Sequence, residues 1–189
     1  MGKPIYSAFF HLSRMGFREA VAERRPGENL ARAINDLNAA FLWENRVFDT
    51  VKEAVWIDFV LPHTSDFLHG IAHAALERLD SFGDYLHENF VRQSYPPTPS
   101  LDEEIVSVDR AFEIAVSTID EVDTAIQRVI EAASGSTYNA LALAAENLQQ
   151  ENSADRTAVL QAWGAWSENV STTSFDNWVL HLKEGCGDE

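Results

Sequence analysis

Residues 67–90 constrain this chain more than any other stretch. They hold no proline, and their apolar positions recur with helical rather than alternating spacing. At about 100° per residue, Leu68, Ala72, Leu76, Leu79, Gly83, Leu86 and Phe90 fall on one stripe, widened by Ile71, Ala75 and Phe82. Beside the stripe lies an arc about 100° wide that carries His69, His73, Glu77, Asp80, Asp84, His87 and Glu88. The pattern predicts one long helix with one buried face and a band of titratable groups along its border. The bland reading of that band is a solvated flank.

The remaining chain repeats the helical period. A first helix is expected from Glu28 to about Val60, with Leu30, Ile34, Leu37, Phe41, Phe48, Val51 and Val55 inside, and with Trp43 and Trp56 in core or interface packing. Leu61-Pro62 breaks it, and Thr64, Ser65 or Asp66 can cap the second helix, which should run to about Gln93. A Pro-rich crossing at 94–100 precedes a third helix over roughly 103–133, opened by Asp102-Glu103-Glu104. Gly135 marks a turn into a fourth helix, Thr137 to about Trp166, with a loosening expected at Asn152–Ala154. A polar linker leads to a short helix, Phe175–Glu184. With only 6 prolines and 9 glycines in 189 residues, nothing competes with an all-α fold. The economical architecture is a four-helix bundle at 28–168, flanked by an N-terminal arm at 1–27 and a C-terminal extension at 169–189 that holds the short helix.

Charge and cysteine content narrow the function classes. The net charge of −16 argues against a protein that coats nucleic acid. The charge is uneven: residues 1–32 carry six Lys/Arg against three Glu, which leaves −19 on the rest. DNA binding by this arm is permitted by its charge and opposed by the acidic body. The single Cys186 excludes an intrachain disulfide and a cysteine metal cluster, and points to a reducing compartment, the cytoplasm. No signal peptide or membrane span is expected, and Asn169-Val170-Ser171 reads as a chance sequon. No Ser/His/Asp set, Gly-rich phosphate loop or internal repeat stands out.

The spacing within 67–90 carries a more specific reading. His69 and Asp84 stand about 22 Å apart along a helix, too far for one ion. An antiparallel copy across a two-fold axis between residues 78 and 79 brings them close. His69 then faces the partner's Glu88, His73 the partner's Asp84, and Glu77 the partner's Asp80. Imidazole meets carboxylate twice, a mixed N/O ligand set suited to iron, zinc or manganese.

These residues resemble a family. A Leu68-His69 pair with acidic residues fifteen and nineteen positions on, four helices and a Pro-containing crossing are similar to Dps, the miniferritins of the ferritin-like superfamily. The segment Glu131–Thr137 resembles that family's link between third and fourth helices. The resemblance implies a ferritin-like four-helix bundle and a homo-oligomer, as large as a dodecamer, with two-fold contacts through the second helix. It implies a ferroxidase centre with iron ligands His69 and, from the partner, Asp84 and Glu88, while His73 stands where the family usually has an acid. The implied activity is Fe(II) oxidation by hydrogen peroxide or dioxygen, with iron storage and no organic cofactor. One departure matters: Ala54-Val-Trp-Ile-Asp58 lacks the histidine the family carries near the end of the first helix. Asp58 or His73 is the candidate substitute. Asp66-x-x-His69 and Asp84-x-x-His87 leave a centre within one bundle open. The competing function is a ferritin-fold oligomerisation or binding protein without metal chemistry.

Overall fold

The computed structural model of the chain describes residues 26–88, 91, 95, 97–168 and 171–185, the side chains of 183–185 excepted. Residues 1–25 of the arm, Phe90, Asn169 and Val170 of the sequon, and Cys186 lie outside the described residues. Five helices and no strand occur among those described: α1 (Glu28–Ile57), α2 (Pro62–Glu88), α3 (Val108–Ala133), α4 (Asn139–Glu168) and α5 (Thr172–Gly185). The expected all-α helical bundle is present.

Local chemistry moves the helix ends from where periodicity placed them. α1 stops at Ile57, and Val60 turns the chain with φ 55°, a left-handed conformation that a β-branched residue adopts only under strain. α2 starts at Pro62, earlier than the capping residues suggested, because proline fits the first helical position, where no N–H is needed. None of Thr64, Ser65 or Asp66 caps it from outside. The cap comes from 112 residues away: Asp176 on α5 accepts from the Thr64 backbone N–H (2.8 Å), the Thr64 hydroxyl (2.9 Å) and the His63 N–H (3.1 Å). α3 begins at Val108 because Ser107 Oγ accepts the Arg110 N–H at 3.1 Å. The acidic Asp102–Glu104 run precedes the helix, and Glu103 pairs with Arg110. α4 does not loosen at Asn152, which is buried and donates to the Ile119 carbonyl at 3.1 Å.

The helices form a ring in the order α1–α2–α4–α3, with α5 packed on α2 and α4. α1 and α2 are antiparallel, tied by Asn45 donating to the Ala72 carbonyl (2.9 Å) and Ser65 to the Lys52 carbonyl (3.0 Å). α3 and α4 are antiparallel too: Arg156 reaches Asp120, and both Trp163 and Trp166 donate to Asp109. Asp36 faces Arg128 while Trp43 and Glu121 line the same groove, so α1 also runs against α3. α2 and α3 therefore point the same way. Their connection, 89–107, must travel the length of the bundle, about 40 Å, which nineteen residues span without difficulty.

Burial divides the interior into two apolar halves. One gathers Phe48, Val51, Leu68, Phe112, Ile119, Val159 and Phe175, the other Leu37, Phe41, Leu79, Phe82, Ile126 and Leu141. Each fully buried side chain of this size contributes about 1.5–3 kcal/mol relative to exposure. Between the halves lies a polar layer. Trp56, expected in core or interface packing, is outside the core: it is 54% exposed beside Ile57 (62%) and Val60 (74%).

Candidate functional site

The titratable band of α2 lies outward as its spacing implied. His73, Glu77, Asp80, Asp84, His87 and Glu88 are exposed and His69 is half-buried against α1. Within one chain, the structure brings His69 and His73 together and leaves Asp84 and Glu88 further along the same helix. His69 Nε2 stands 3.1 Å from His73 Nε2, with the rings edge to face and 4.4 Å between centroids. Two nitrogens on one ion at about 2.0–2.1 Å, meeting at tetrahedral or right angles, sit about 2.9–3.4 Å apart. The observed separation falls in that range and equally fits one ring N–H donating to the other ring's nitrogen. Two residues do not complete a site: among the described residues, no group of three His, Cys, Asp or Glu is placed to hold a metal ion.

From α1, the groups that reach His69 are Asp49 and Lys52. Lys52 Nζ is 2.5 Å from His69 Nδ1 and 2.7 Å from Asp49 Oδ1, which lies 3.8 Å from His69 Nδ1. Asp58 is exposed at the C-cap of α1. An open groove of about 410 Å³, lined by Asp49, Lys52, Glu53, Trp56, Ile57 and Ser65, runs beside the pair.

A centre inside the bundle is not assembled from the two Asp-x-x-His segments, since Asp66, Asp84 and His87 face out. The interior holds a different constellation, absent from the sequence reading. Arg78 (4% exposed) donates from Nη1 to Asp155 at 2.5 Å and from Nη2 to Glu44 at 3.3 Å, and lies 5.9 Å from the centroid of the Phe41 ring. Thr118 and Asn152 are buried at the same level between the two apolar halves. One guanidinium serves two carboxylates, and the closer contact is with Asp155. Glu44 is the surplus acid: burial pushes it up to about 7, Asp155 adds to this and Arg78 opposes it. Burial also raises Asp155 against the pull of Arg78. Burial opposes the charge on Arg78, but Glu44 and Asp155 outweigh it and hold the guanidinium above its ordinary value. A signal for this layer was available. Leu37, Phe41, Glu44, Phe48, Val51 and Leu148, Asn152, Asp155, Val159, Ala162 share one spacing, and each apolar stripe carries acid near its centre.

No protein-family model matches this chain, and no curated protein matches it. Its functional reading rests on its own geometry. No described helix is long and apolar enough to cross a membrane.

Proposed function

We propose that this chain is a subunit of a ferritin-like, iron-handling homo-oligomer whose metal centre forms between two copies of α2. The observation that carries the reading is the 3.1 Å separation of His69 Nε2 and His73 Nε2 on an exposed flank. The helix directions support it, because a bundle with one full-length crossover between its second and third helices is the ferritin-like connectivity. The polar layer supports it as well: Arg78 fills the bundle interior with a cation of its own, so a metal centre belongs on the outside. An antiparallel partner lays its acidic half, with the partner's Asp84 and the partner's Glu88, against His69, His73 and Lys52. Neutral imidazoles and carboxylates then share the ion. Fe(II) is the substrate. Two Fe(II) ions would supply the two electrons, and solvent the two protons, that convert one hydrogen peroxide to two waters, and the carboxylates would hold the ferric product. A reducing cytoplasm suits this chemistry.

A scaffold without metal chemistry is the second reading, favoured by the missing histidine at 54–58 and by the Lys52 ammonium against His69 Nδ1. The deciding experiment is peroxide-driven Fe(II) oxidation by the full chain, beside His69→Ala/His73→Ala, with the assembly sized by light scattering. Fast oxidation lost in the double variant, with assembly intact, is expected. Equal, slow oxidation by both proteins would refute the centre and leave the scaffold.

A further inference from the structure

One seam of the helix ring stays open among the described residues. α5 lies on α2 and α4; on the opposite side of the ring, α1 and α3 leave two adjoining hollows of about 350 and 530 Å³. Asp36 and Arg128 line both hollows, which together reach from Asn29 to Trp43 along α1. Ala33, Ala40, Trp43, Ala125 and Ala132 give the seam an apolar lining, and Pro99 of the α2–α3 connection borders the larger hollow. Alanines from both helices leave room for the side chains of a further helix to sit between them. The rim carries Asp36, Glu121 and Glu131 against Arg32 and Arg128.

The chain itself supplies an occupant of matching length and pattern. Residues 1–25 join α1 at Gly27, beside Asn29 at one end of the seam. The seam runs about 21 Å from Asn29 to Trp43 at the helical rise, so residues 11–25 are long enough to cover it at the same rise. The reversal this needs falls at Pro26-Gly27, a dipeptide that marks turns. At about 100° per residue, Phe9, Phe10, Leu12, Phe17, Ala20 and Val21 share one half of a helical projection. His11, Arg14, Arg18 and Arg25 share an arc about 60° wide beside it. Residues 1–25 hold five Lys/Arg against two Glu, a charge of +3 in a chain of net −16, which leaves −19 on the rest. We propose that the α1–α3 seam is the docking surface for this chain's own residues 11–25, with Leu12, Phe17 and Val21 in the apolar lining and Arg14 at the acidic rim. Tethering at Gly27 gives the segment an effective concentration of about the mM range, so modest contacts hold it. Docked residues withhold their arginines from phosphate, and nucleic acid reaches them only by competing with the seam. This inference is independent of the metal reading above.

The test places the photo-crosslinking residue p-benzoylphenylalanine at position 17 of the full chain and maps the products by mass spectrometry. Isotopically light and heavy chains are unfolded, mixed and refolded together before irradiation. Crosslinks within one chain to residues 33–43 and 121–132 are expected. They fall about ten-fold in Ala40→Arg, where a cation fills the hollow, and in Val21→Asp, which leaves the seam itself unaltered. Leu160→Arg, on the exposed side of α4, leaves them unchanged. Circular dichroism checks that each variant is folded, and Val21→Asp keeps the test decisive if Ala40→Arg is not. Crosslinks spread evenly over the surface, or unchanged in Val21→Asp, overturn the proposal. Light-to-heavy crosslinks assign the seam to a neighbouring copy, and transfer of the crosslinks to a short DNA duplex at physiological salt assigns residues 11–25 to nucleic acid. Either outcome overturns docking of the chain on itself.

Discussion

Replacing Glu44 with glutamine should stabilise this protein, although Glu44 touches an arginine in the middle of the core. In the folded chain burial raises Glu44 from 4.5 to about 7. A carboxylate raised on folding holds its proton in the native state where the unfolded chain has lost it. Its stabilising contribution is full below the unfolded value and disappears as pH climbs through the folded one. Across pH 5 to 8 this linkage removes about 2–3 kcal/mol of stability from the wild type. Glutamine keeps the shape and an acceptor for Arg78 Nη2, and it has no charge to bury. Glu44→Gln should therefore match the wild type within about 1 kcal/mol at pH 5 and exceed it by about 2 kcal/mol at pH 8. Urea unfolding at the two pH values measures the difference directly. If the variant is instead weaker than wild type by 2 kcal/mol or more at pH 8, the ionised Glu44–Arg78 pair is a net stabiliser, and assigning the surplus proton to Glu44 is refuted.

Asp176→Ala removes three hydrogen bonds at the start of α2 and should cost about 2–3 kcal/mol in urea unfolding, with the loss concentrated in hydrogen exchange at residues 63–68. Val60→Gly should leave the structure unchanged and raise stability by up to about 1 kcal/mol, read as a higher midpoint at equal slope, since glycine accepts φ 55° without a Cβ clash.

The fold was legible where helical period and burial agree. Leu68, Ile71, Ala72, Leu79, Phe82 and Leu86 are inside, and the band from His69 to Glu88 is outside, as the spacing required. Helix ends were less legible because their determinants are not local. Pro62 opens α2 only because Asp176 supplies the cap, and no window of sequence around 62 contains that fact. The His69–His73 contact follows from i, i+4 spacing, whereas Lys52 and Asp49 become its neighbours through helix pairing alone. The polar layer was missed for a different reason. Arg78 sits at the edge of an apolar stripe, where a long basic side chain is ordinarily expected to reach solvent. Only three helices closing on one another turn it inward.

The hold of Asp176 on Thr64 also orders events in time. A ribosome adding about 5–20 residues per second needs about 6–22 s to go from residue 64 to residue 176. During that interval α2 has emerged with its first turn uncapped, and His69, about one and a half turns beyond Thr64, stands near a fraying end. The His69–His73 contact of a nascent chain is thus settled among the last of its features, after the helices that will surround it have been made. The start of α2 is complete only when α5 has docked, so a chain halted before Asp176 carries a second helix that frays at its N-terminus.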